Sequence, residues 1–187
     1  SAVNGFMQGD PVGGRWSLWK TTNGGVNWDS TGQYLPQLNG ELGWNNSIWS
    51  VNNNIWFGTD KSRIYYSSTG SPPWVQQSTA PNTNVYTIWM NTVNIQQGYS
   101  AGDSLSRTTN NGTNWIINPS VGTGAITAFT AITGLSNYWY TRSNTNIYFS
   151  NVGGPFNIQY IAPAGNFNHI SAARSGFIGG PCAIYGV

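Results

Sequence analysis

Five carboxylates are the residues of this chain best suited to acid–base chemistry. They are Asp10, Asp29, Glu41, Asp60 and Asp103. Most glycoside-cleaving enzymes place two carboxyl groups beside the scissile bond, one as acid and the other as base or nucleophile. Three of the five carboxylates, Asp10, Asp60 and Asp103, come at or near the ends of predicted strands, which leaves a shared cluster open. We favour the capping of turns as their role.

Histidine and cysteine chemistry has little support in this sequence. The chain has one histidine, His169, and one cysteine, Cys182. These residues cannot form a His/Cys metal cluster, a convincing Ser-His-Asp set or an intrachain disulfide. We therefore predict no catalytic residue, no metal site and no cofactor. Cys182 is expected to be a small buried hydrophobe, and His169 a hydrogen-bonded strand residue.

The composition excludes two classes of partner. Charged residues make up 6% of the 187 residues, against about 25% in an ordinary soluble domain. The formal charge of +2 is spread thinly, so the chain has no basic stripe for nucleic acid. Its longest apolar runs fall far short of the roughly 20 residues that span a bilayer. An aromatic content of 14% nevertheless indicates a packed fold.

A repeat organises the chain. Four similar segments end in an aromatic residue: Trp19–Trp28, Tyr65–Trp74, Ser106–Trp115 and Tyr148–Phe156. The closing aromatics, at positions 28, 74, 115 and 156, are 46, 41 and 41 residues apart, which is the length of a four-stranded propeller blade. No segment shows a sustained helical period. The predicted fold is all-β, a β-propeller of four-stranded antiparallel blades.

The predicted strands are clearest in the second unit and recur in the others. There they are Ser47–Val51, Asn54–Gly58, Arg63–Ser67 and Trp74–Ser78. First strands recur at Val85–Met90, Ile126–Ile132 and His169–Ala173, and second strands at Phe6–Asp10, Ile95–Tyr99, Tyr138–Arg142 and Phe177–Gly180. We predict a single propeller region over 1–187, with a partial blade over 1–40, blades at about 44–80, 84–120 and 124–162, and a partial blade over 166–187.

The two partial blades do not complete each other in this prediction. The chain opens in a second strand and closes in a third, Cys182–Tyr185. A propeller usually closes its ring by completing one blade from both ends. Two interpretations remain: the sequence is part of a larger ring, or neighbouring copies supply the missing strands and self-associate into fibres through their terminal edges.

The turn before each closing aromatic is a local folding device. It reads Thr-Thr-Asn-Gly-Gly-Val-Asn-Trp over 21–28 and Thr-Thr-Asn-Asn-Gly-Thr-Asn-Trp over 108–115. Asn can bond to nearby backbone, and glycine supplies positive φ. The predicted structural residues are Thr21, Asn23, Gly25 and Trp28, with Thr108, Asn110, Gly112 and Trp115. The pattern resembles the Asp-box, or BNR repeat, with Asn in place of Asp. That difference argues against a calcium-binding role.

Five segments carry a wider resemblance. They are Gly9–Trp16, Trp19–Gly25, Gly43–Ser47, Ile55–Thr59 and Arg63–Ser67. The chain is similar in them to secreted propeller proteins of Bacteroidota that often carry a type IX secretion sorting domain. This resemblance implies an extracellular or cell-surface location. It does not fix the task, because one fold serves many functions.

The Asp-box resemblance also brings sialidases into consideration. Such enzymes need an arginine triad and a Tyr–Glu couple, which here would depend on Glu41, the only glutamate. Because Arg63, Arg107 and Arg142 recur at blade-like intervals, we interpret them as surface or turn arginines of the repeat. We predict a non-catalytic binding, adhesion or structural-assembly module. The alternative is a glycoside hydrolase or sialidase-like propeller whose catalytic residues are incomplete in this chain.

Carbohydrate or protein at the cell surface is the expected partner. Trp16, Trp44 and Trp139 lie outside the motif turns, and exposed indoles would favour either kind of ligand. Packing between blades is the interpretation we favour for each of them. Candidate glycosylation positions are Ser30 and Ser104, which follow an Asp, and Asn45 and Asn111, which begin Asn-X-Ser/Thr sequons.

Overall fold

The computed structural model describes residues 3–80, 82–174 and 182–186. Within these ranges the chain forms strands, turns and extended segments without any helix. Short alternating runs of β-branched and aromatic residues, bounded by Gly, Asn and Pro, favour strands in every unit. The strands are β1 (Gly5–Val12), β2 (Arg15–Thr21), β3 (Gly43–Val51), β4 (Asn54–Thr59), β5 (Arg63–Ser67), β6 (Val75–Ser78), β7 (Val85–Met90), β8 (Gly98–Gly102), β9 (Leu105–Thr108), β10 (Ile116–Ile117), β11 (Ile126–Ile132), β12 (Asn137–Arg142), β13 (Asn146–Ser150), β14 (Asn157–Ile161), β15 (Ile170–Arg174) and β16 (Cys182–Gly186).

Three four-stranded antiparallel sheets form the middle of the molecule. In each sheet the strands are hydrogen-bonded in chain order: β3 to β6, β7 to β10, and β11 to β14. Their first strands pack against one another, β3 on β7, β7 on β11, and β11 on β15. This arrangement places the first strands innermost, as in propeller blades. The predicted fold of four-stranded blades is confirmed.

The first and last blades are smaller sheets. β1 pairs with β2, and the segment 29–36 runs beside β2 through two isolated bridges, Lys20 with Asp29 and Arg15 with Pro36. β15 pairs directly with β16. The strand at 182–186 is therefore a second strand, and the expectation of a third strand there is wrong. The second strand predicted at 177–180 lies outside the described residues. The one predicted at 95–99 starts later, at Gly98, because a turn occupies 94–97.

The motif turns share a hydrogen-bond pattern. In the first turn, Thr21 Oγ1 accepts the Gly25 N–H at 3.0 Å, and Asn23 Oδ1 accepts the Asn27 N–H at 3.0 Å. The third turn repeats both bonds, with Thr108 and Asn110 as acceptors at 2.8 and 2.9 Å. In both turns, side-chain oxygens thus accept the backbone N–H groups that a neighbouring strand would otherwise bond. Gly25 has the positive φ of 88° that the turn requires.

Alternation along each third strand joins the blades. Neighbouring side chains on a strand point to opposite faces of the sheet. Along a third strand, side chains that contact the next blade therefore alternate with side chains that contact the preceding blade. Leu18 lies in a buried cluster with Phe57 and Tyr65 of the second blade. Leu105 lies in another with Tyr140 and Tyr148 of the fourth blade. The core is therefore a series of layers between blades.

Side-chain amides on the outer segments contact the next motif turn. Gln77 Nε2 donates to the Asn111 carbonyl at 2.7 Å, and Gln77 Oε1 accepts the Trp115 Nε1–H at 3.3 Å. Asn118 Nδ2 donates in the same way to the Gly153 carbonyl at 3.0 Å. Asn118, whose side chain is shorter than that of Gln77, faces the motif turn that ends in Phe156. A Phe ring has no N–H group, so this position needs no side-chain acceptor like Gln77 Oε1. These bonds fix successive blades in one register.

Candidate functional site

The innermost strand of the second blade carries an unusual bulge. Gly43 pairs with Thr59 and Ile48 with Phe57, so four residues oppose one. Counted in the same way, the corresponding irregularities in β7 and β11 place one residue against none. β3 therefore has two additional residues on the inner side of the ring. Asn46 within the bulge has a φ of 68°, a conformation that is uncommon for a residue other than glycine.

The bulge exposes an aromatic side chain beside a second one. Trp44 is 38% exposed, and its ring lies 4.7 Å from that of Tyr86 on β7 at an interplanar angle of 66°. Because the rings meet edge to face, Tyr86 leaves at least one indole face uncovered. Partial burial, aided by the negative charge of Asp103, raises the pKa of Tyr86, so its phenol is neutral at physiological pH.

A cleft of about 360 Å³ runs along the innermost strands. It reaches across β3, β7, β11 and the start of β15, so four blades contribute to its walls. The lining includes Asn46, Trp49, Thr87, Phe129, Thr130 and His169. It combines aromatic rings with neutral hydrogen-bonding groups, and His169 is its only titratable side chain. A concave surface of this kind suits a ligand that is neutral where it makes contact.

Close packing behind the bulge holds it in place. Ser47 Oγ donates to the Val85 carbonyl at 2.5 Å, which ties the end of the bulge to the neighbouring blade. Gly58 lies opposite, where a Cβ atom would collide with the Ser47 hydroxyl and the Val85 side chain. Further along, Trp49 Nε1 donates to the Met90 carbonyl at 3.0 Å. The exposed residues therefore rest on a rigid base.

Three of the predicted carboxylates cap the entrances to first strands. Asp10 accepts the Gly43 N–H at 2.9 Å, Asp60 the Leu42 N–H at 2.8 Å, and Asp103 the Asn84 N–H at 2.8 Å. All three carboxylates bond to backbone, but their partners lie 18 to 33 residues away at strand entrances and not in the local turns that we predicted. Asp29, in turn, accepts the Thr31 N–H at 2.8 Å, a bond that holds the pKa of its carboxyl below the usual value.

Glu41 belongs to a buried polar network. Its Oε1 accepts the Trp16 Nε1–H at 3.1 Å, the Leu38 N–H at 3.2 Å and the Tyr65 hydroxyl, while Oε2 is paired with Arg63. A Tyr–Glu couple with a nearby arginine is thus present. Glu41 and Tyr65 are both 0% exposed, and burial together with the Glu41 carboxylate raises the pKa of Tyr65. The network ties the first blade to the second and is closed to a substrate.

The interpretation of the arginines as products of the repeat is wrong. Arg63 lies at the start of β5, Arg107 in the middle of β9 and Arg142 at the end of β12, so they occupy three different positions. Arg142 is buried and donates to the Val121 and Gly124 carbonyls and, at 2.9 Å, to Ser120 Oγ. Arg63 pairs with Glu41. Arg107 is exposed. The described contacts do not bring them together as a triad.

The three tryptophans singled out from the sequence divide into two groups. Packing between blades is correct for Trp16 and Trp139, which are 1% and 3% exposed, and wrong for Trp44, which is exposed. His169 is exposed and immediately precedes β15 rather than lying within it. Cys182 begins β16. No group of three His, Cys, Asp or Glu residues in the described ranges could hold a metal ion, and no helix in those ranges could cross a membrane.

The candidate glycosylation positions differ in accessibility. Asn45 is exposed in the bulge, although the Ser47 hydroxyl of its sequon is buried and bonded to backbone. Asn111 has its side-chain oxygen buried within a motif turn, at a φ of 57°. Ser30 and Ser104 are half-buried in turns. Glycosylation at all four positions stays a prediction.

The bulge and its partner Tyr86 were not predicted as a site from the sequence. One signal was available: the first interval between closing aromatics is 46 residues, against 41 for the next two. Two of the additional residues lie in the bulge of β3. Which strand holds them, and that it faces the inside of the ring, depends on the pairing.

Comparison with solved structures gives the fold and no closer relationship. The chain matches YCF48 bound to D1 peptide with a TM-score of 0.63 and 15% identity, covering 91% of this chain and 54% of that one. It matches an ancestral GH74 enzyme (TM-score 0.61, 13% identity, 91% and 27% coverage) and the GH74 enzyme of Niastella koreensis (0.61, 15%, 89% and 31%). The chain thus spans about half or less of the length of these neighbours. No family model matches it, and no curated protein is significantly similar to it.

Proposed function

We propose that this propeller region is a non-catalytic binding module, secreted or displayed at the cell surface, that holds a peptide segment of a protein partner on its inner strands. The observation that carries the proposal is the bulge of β3, which exposes Trp44 against Tyr86 and contributes Asn46 to the lining of the cleft. Bulges are common next to functional sites because they redirect side chains.

The chemistry of the surface favours a peptide. Rigid Trp and Tyr rings surrounded by Asn, Ser and Thr side chains combine large contact areas with adaptable hydrogen bonds, as in antibody paratopes. YCF48, a structural neighbour, was solved with a bound peptide. A carbohydrate chain is the other ligand expected on such a surface, and it forms the second arm of the test.

The state of the carboxylates supports a non-catalytic role. Asp10, Asp60 and Asp103 each bond to backbone, and Glu41 is enclosed. The alternative, a glycoside hydrolase, has its support in the two GH74 neighbours. We also assign the motif turns to the Asp-box type on their shared hydrogen bonds, and we place the protein outside the cell on its neutral polar composition and its resemblance to secreted propellers.

The test compares Trp44→Ala with the wild type in two binding screens. A phage-displayed peptide library and a panel of neutral polysaccharides are applied to the immobilised 187-residue chain. We expect peptides to be enriched and their affinity to fall at least about tenfold in Trp44→Ala, since central aromatic residues often contribute 2 kcal/mol or more. Val93→Ala, at an 82% exposed position in the β7–β8 turn, is the matched control.

Other outcomes discriminate among the alternatives. Binding of a polysaccharide that also requires Trp44 would replace the peptide by a glycan. Release of reducing ends from that polysaccharide would overturn the non-catalytic role. Ligands that bind equally to Trp44→Ala and the wild type would exclude the bulge as the site. Protection of the native protein from protease added to intact source cells would contradict the surface location.

A further inference from the structure

The aromatic pair of Trp44 and Tyr86 lies between two blades whose four strands are all described. Trp44 belongs to β3, the first strand of one sheet, and Tyr86 to β7, the first strand of the next. The two rings are 4.7 Å apart, and Trp44 is 38% exposed. The indole is exposed by the bulge of β3. A ligand that reaches this bulge therefore meets an aromatic surface first.

Two carboxylates are anchored next to Trp44 along the chain. Asp10 accepts the N–H of Gly43, the residue before Trp44, at 2.9 Å, and Asp60 accepts the N–H of Leu42 at 2.8 Å. Asp10 comes from β1 and is exposed. Its second oxygen, Oδ2, accepts no hydrogen bond from the described residues. The fold thus fixes the Asp10 carboxylate in place and leaves one of its oxygens available to a ligand.

A third carboxylate is fixed on the Tyr86 side of the pair. Asp103 accepts the backbone N–H of Asn84 at 2.8 Å and the side-chain amide of Asn84 at 3.2 Å. Asn84 lies two residues before Tyr86. Burial first, and the charge of Asp103 second, raise the pKa of the Tyr86 phenol. The Asp103 carboxylate is therefore close enough to the aromatic pair to act on a charge placed there.

The described residues do not neutralise the negative charge around this pair. Asp60 is in an ion pair with Lys61 at 3.6 Å. Asp10 and Asp103 have no lysine or arginine partner in the described part of the chain. The whole chain has a formal charge of +2, so the excess of negative charge here is local. An exposed indole face also attracts cations, because the ring is electrostatically negative above its plane.

We propose that the peptide bound by this module carries a lysine or arginine side chain that lies against Trp44, between Asp10 and Asp103. The inference rests on the proposed function and names the chemistry of the bound segment. The aliphatic stem of such a side chain packs on the indole while its charged end reaches the carboxylates. The neutral remainder of the peptide lies in the adjoining cleft, which Asn46 of the same bulge lines.

Two short probe peptides test this site directly by NMR. Acetyl-Gly-Lys-Gly-amide and acetyl-Gly-norleucine-Gly-amide have similar aliphatic side chains, but only the first carries a positive charge. Each is titrated into the isotope-labelled 187-residue chain, and the Nε1–H signal of Trp44 is identified by its absence from the spectrum of Trp44→Phe. We expect the lysine probe to shift this signal and to bind at least about fivefold more tightly than the norleucine probe. Added salt should weaken its binding.

Asparagine substitutions remove the charges and keep the backbone bonds. Asp10→Asn and Asp103→Asn retain a side-chain oxygen that can accept the N–H of Gly43 or Asn84, so thermal unfolding should remain close to that of the wild type. Each variant is expected to bind the lysine probe about 1.5- to 5-fold more weakly, which is the effect of one exposed ion pair. Asp29→Asn is the matched control, because it removes an exposed carboxylate that bonds within its own turn. It should bind like the wild type.

The results distinguish this inference from the proposed function. No shift with either probe, equal shifts with both, or an equal loss of binding in Asp29→Asn and Asp103→Asn would overturn a cationic side chain as the group bound at Trp44. Library peptides that require Trp44 but contain neither lysine nor arginine would also overturn it, and the peptide function would stand. A lysine probe that binds at Trp44 when no library peptide requires this residue would support the cationic subsite and overturn the peptide function.

Discussion

Removing the Glu41 carboxylate should destabilise the molecule more than removing any other carboxylate in the described residues. The variant Glu41→Ala leaves the Arg63 guanidinium without its partner and the Trp16 Nε1–H, the Leu38 N–H and the Tyr65 hydroxyl without an acceptor. Breaking a buried ion pair typically costs about 3–5 kcal/mol, because the remaining charge is uncompensated. With a denaturant slope of about 2–3 kcal/mol per molar urea, the midpoint of unfolding should fall by roughly 1–2.5 M.

Urea unfolding followed by tryptophan fluorescence measures this effect. Asp29→Ala is the matched control, since Asp29 is exposed and bonds only within its own turn. The double variant Glu41→Ala/Arg63→Ala should cost less than the sum of the two single variants, because removing Arg63 also removes the unpaired charge. Equal midpoints for Glu41→Ala and Asp29→Ala would refute the assignment of this network as a structural link between the first two blades.

Three further predictions concern the packing between blades. Trp115→Ala should lower the free energy of unfolding by about 3–5 kcal/mol, since it empties a buried site and removes the bond to Gln77; a loss below that of exposed Ile116→Ala would contradict it. Gly58→Ala should cost about 1–3 kcal/mol in the same assay because its Cβ would overlap Ser47 and Val85, and a neutral result would show that the bulge can move. Burial raises the pKa of Tyr99 to about 12, above the usual value of about 10, so the stability this tyrosine contributes is present below about pH 10 and is lost as the pH rises towards 12. Tyr99→Phe should flatten that decline in urea midpoints, and an unchanged slope would contradict the assignment.

The repeat could be predicted from sequence because its signals are local. A Thr, an Asn and a Gly within five residues are enough to form a motif turn, and their bonds involve only the turn itself. The spacing of Trp28, Trp74 and Trp115, 46 and 41 residues, then indicates the approximate blade length. The partners of Asp60 and Asp103 are not local in this sense, because each carboxylate accepts a backbone N–H 18 or 19 residues earlier, at the start of its blade.

The pairing of the last strands was predicted less well. Cys182–Tyr185 has the composition of a strand, yet composition does not state which neighbour it joins. The structure pairs this segment with β15. Strand order is decided by hydrogen bonds between segments that are distant in sequence. Assigning a segment to the second or to the third position of a blade requires the same strand-like sequence, so the sequence pattern does not distinguish the two.

The sequence by itself therefore determined the architecture: strands, motif turns and blade spacing, all of which arise from interactions within a few residues. The tertiary structure decided which side chains are accessible. Trp16 and Trp44 have the same chemistry, but one is sealed between blades and the other is exposed by a bulge. Glu41 and Tyr65 meet as a catalytic couple would, but in a buried layer. Burial depends on how separate blades pack against one another, and residue type alone does not carry that information.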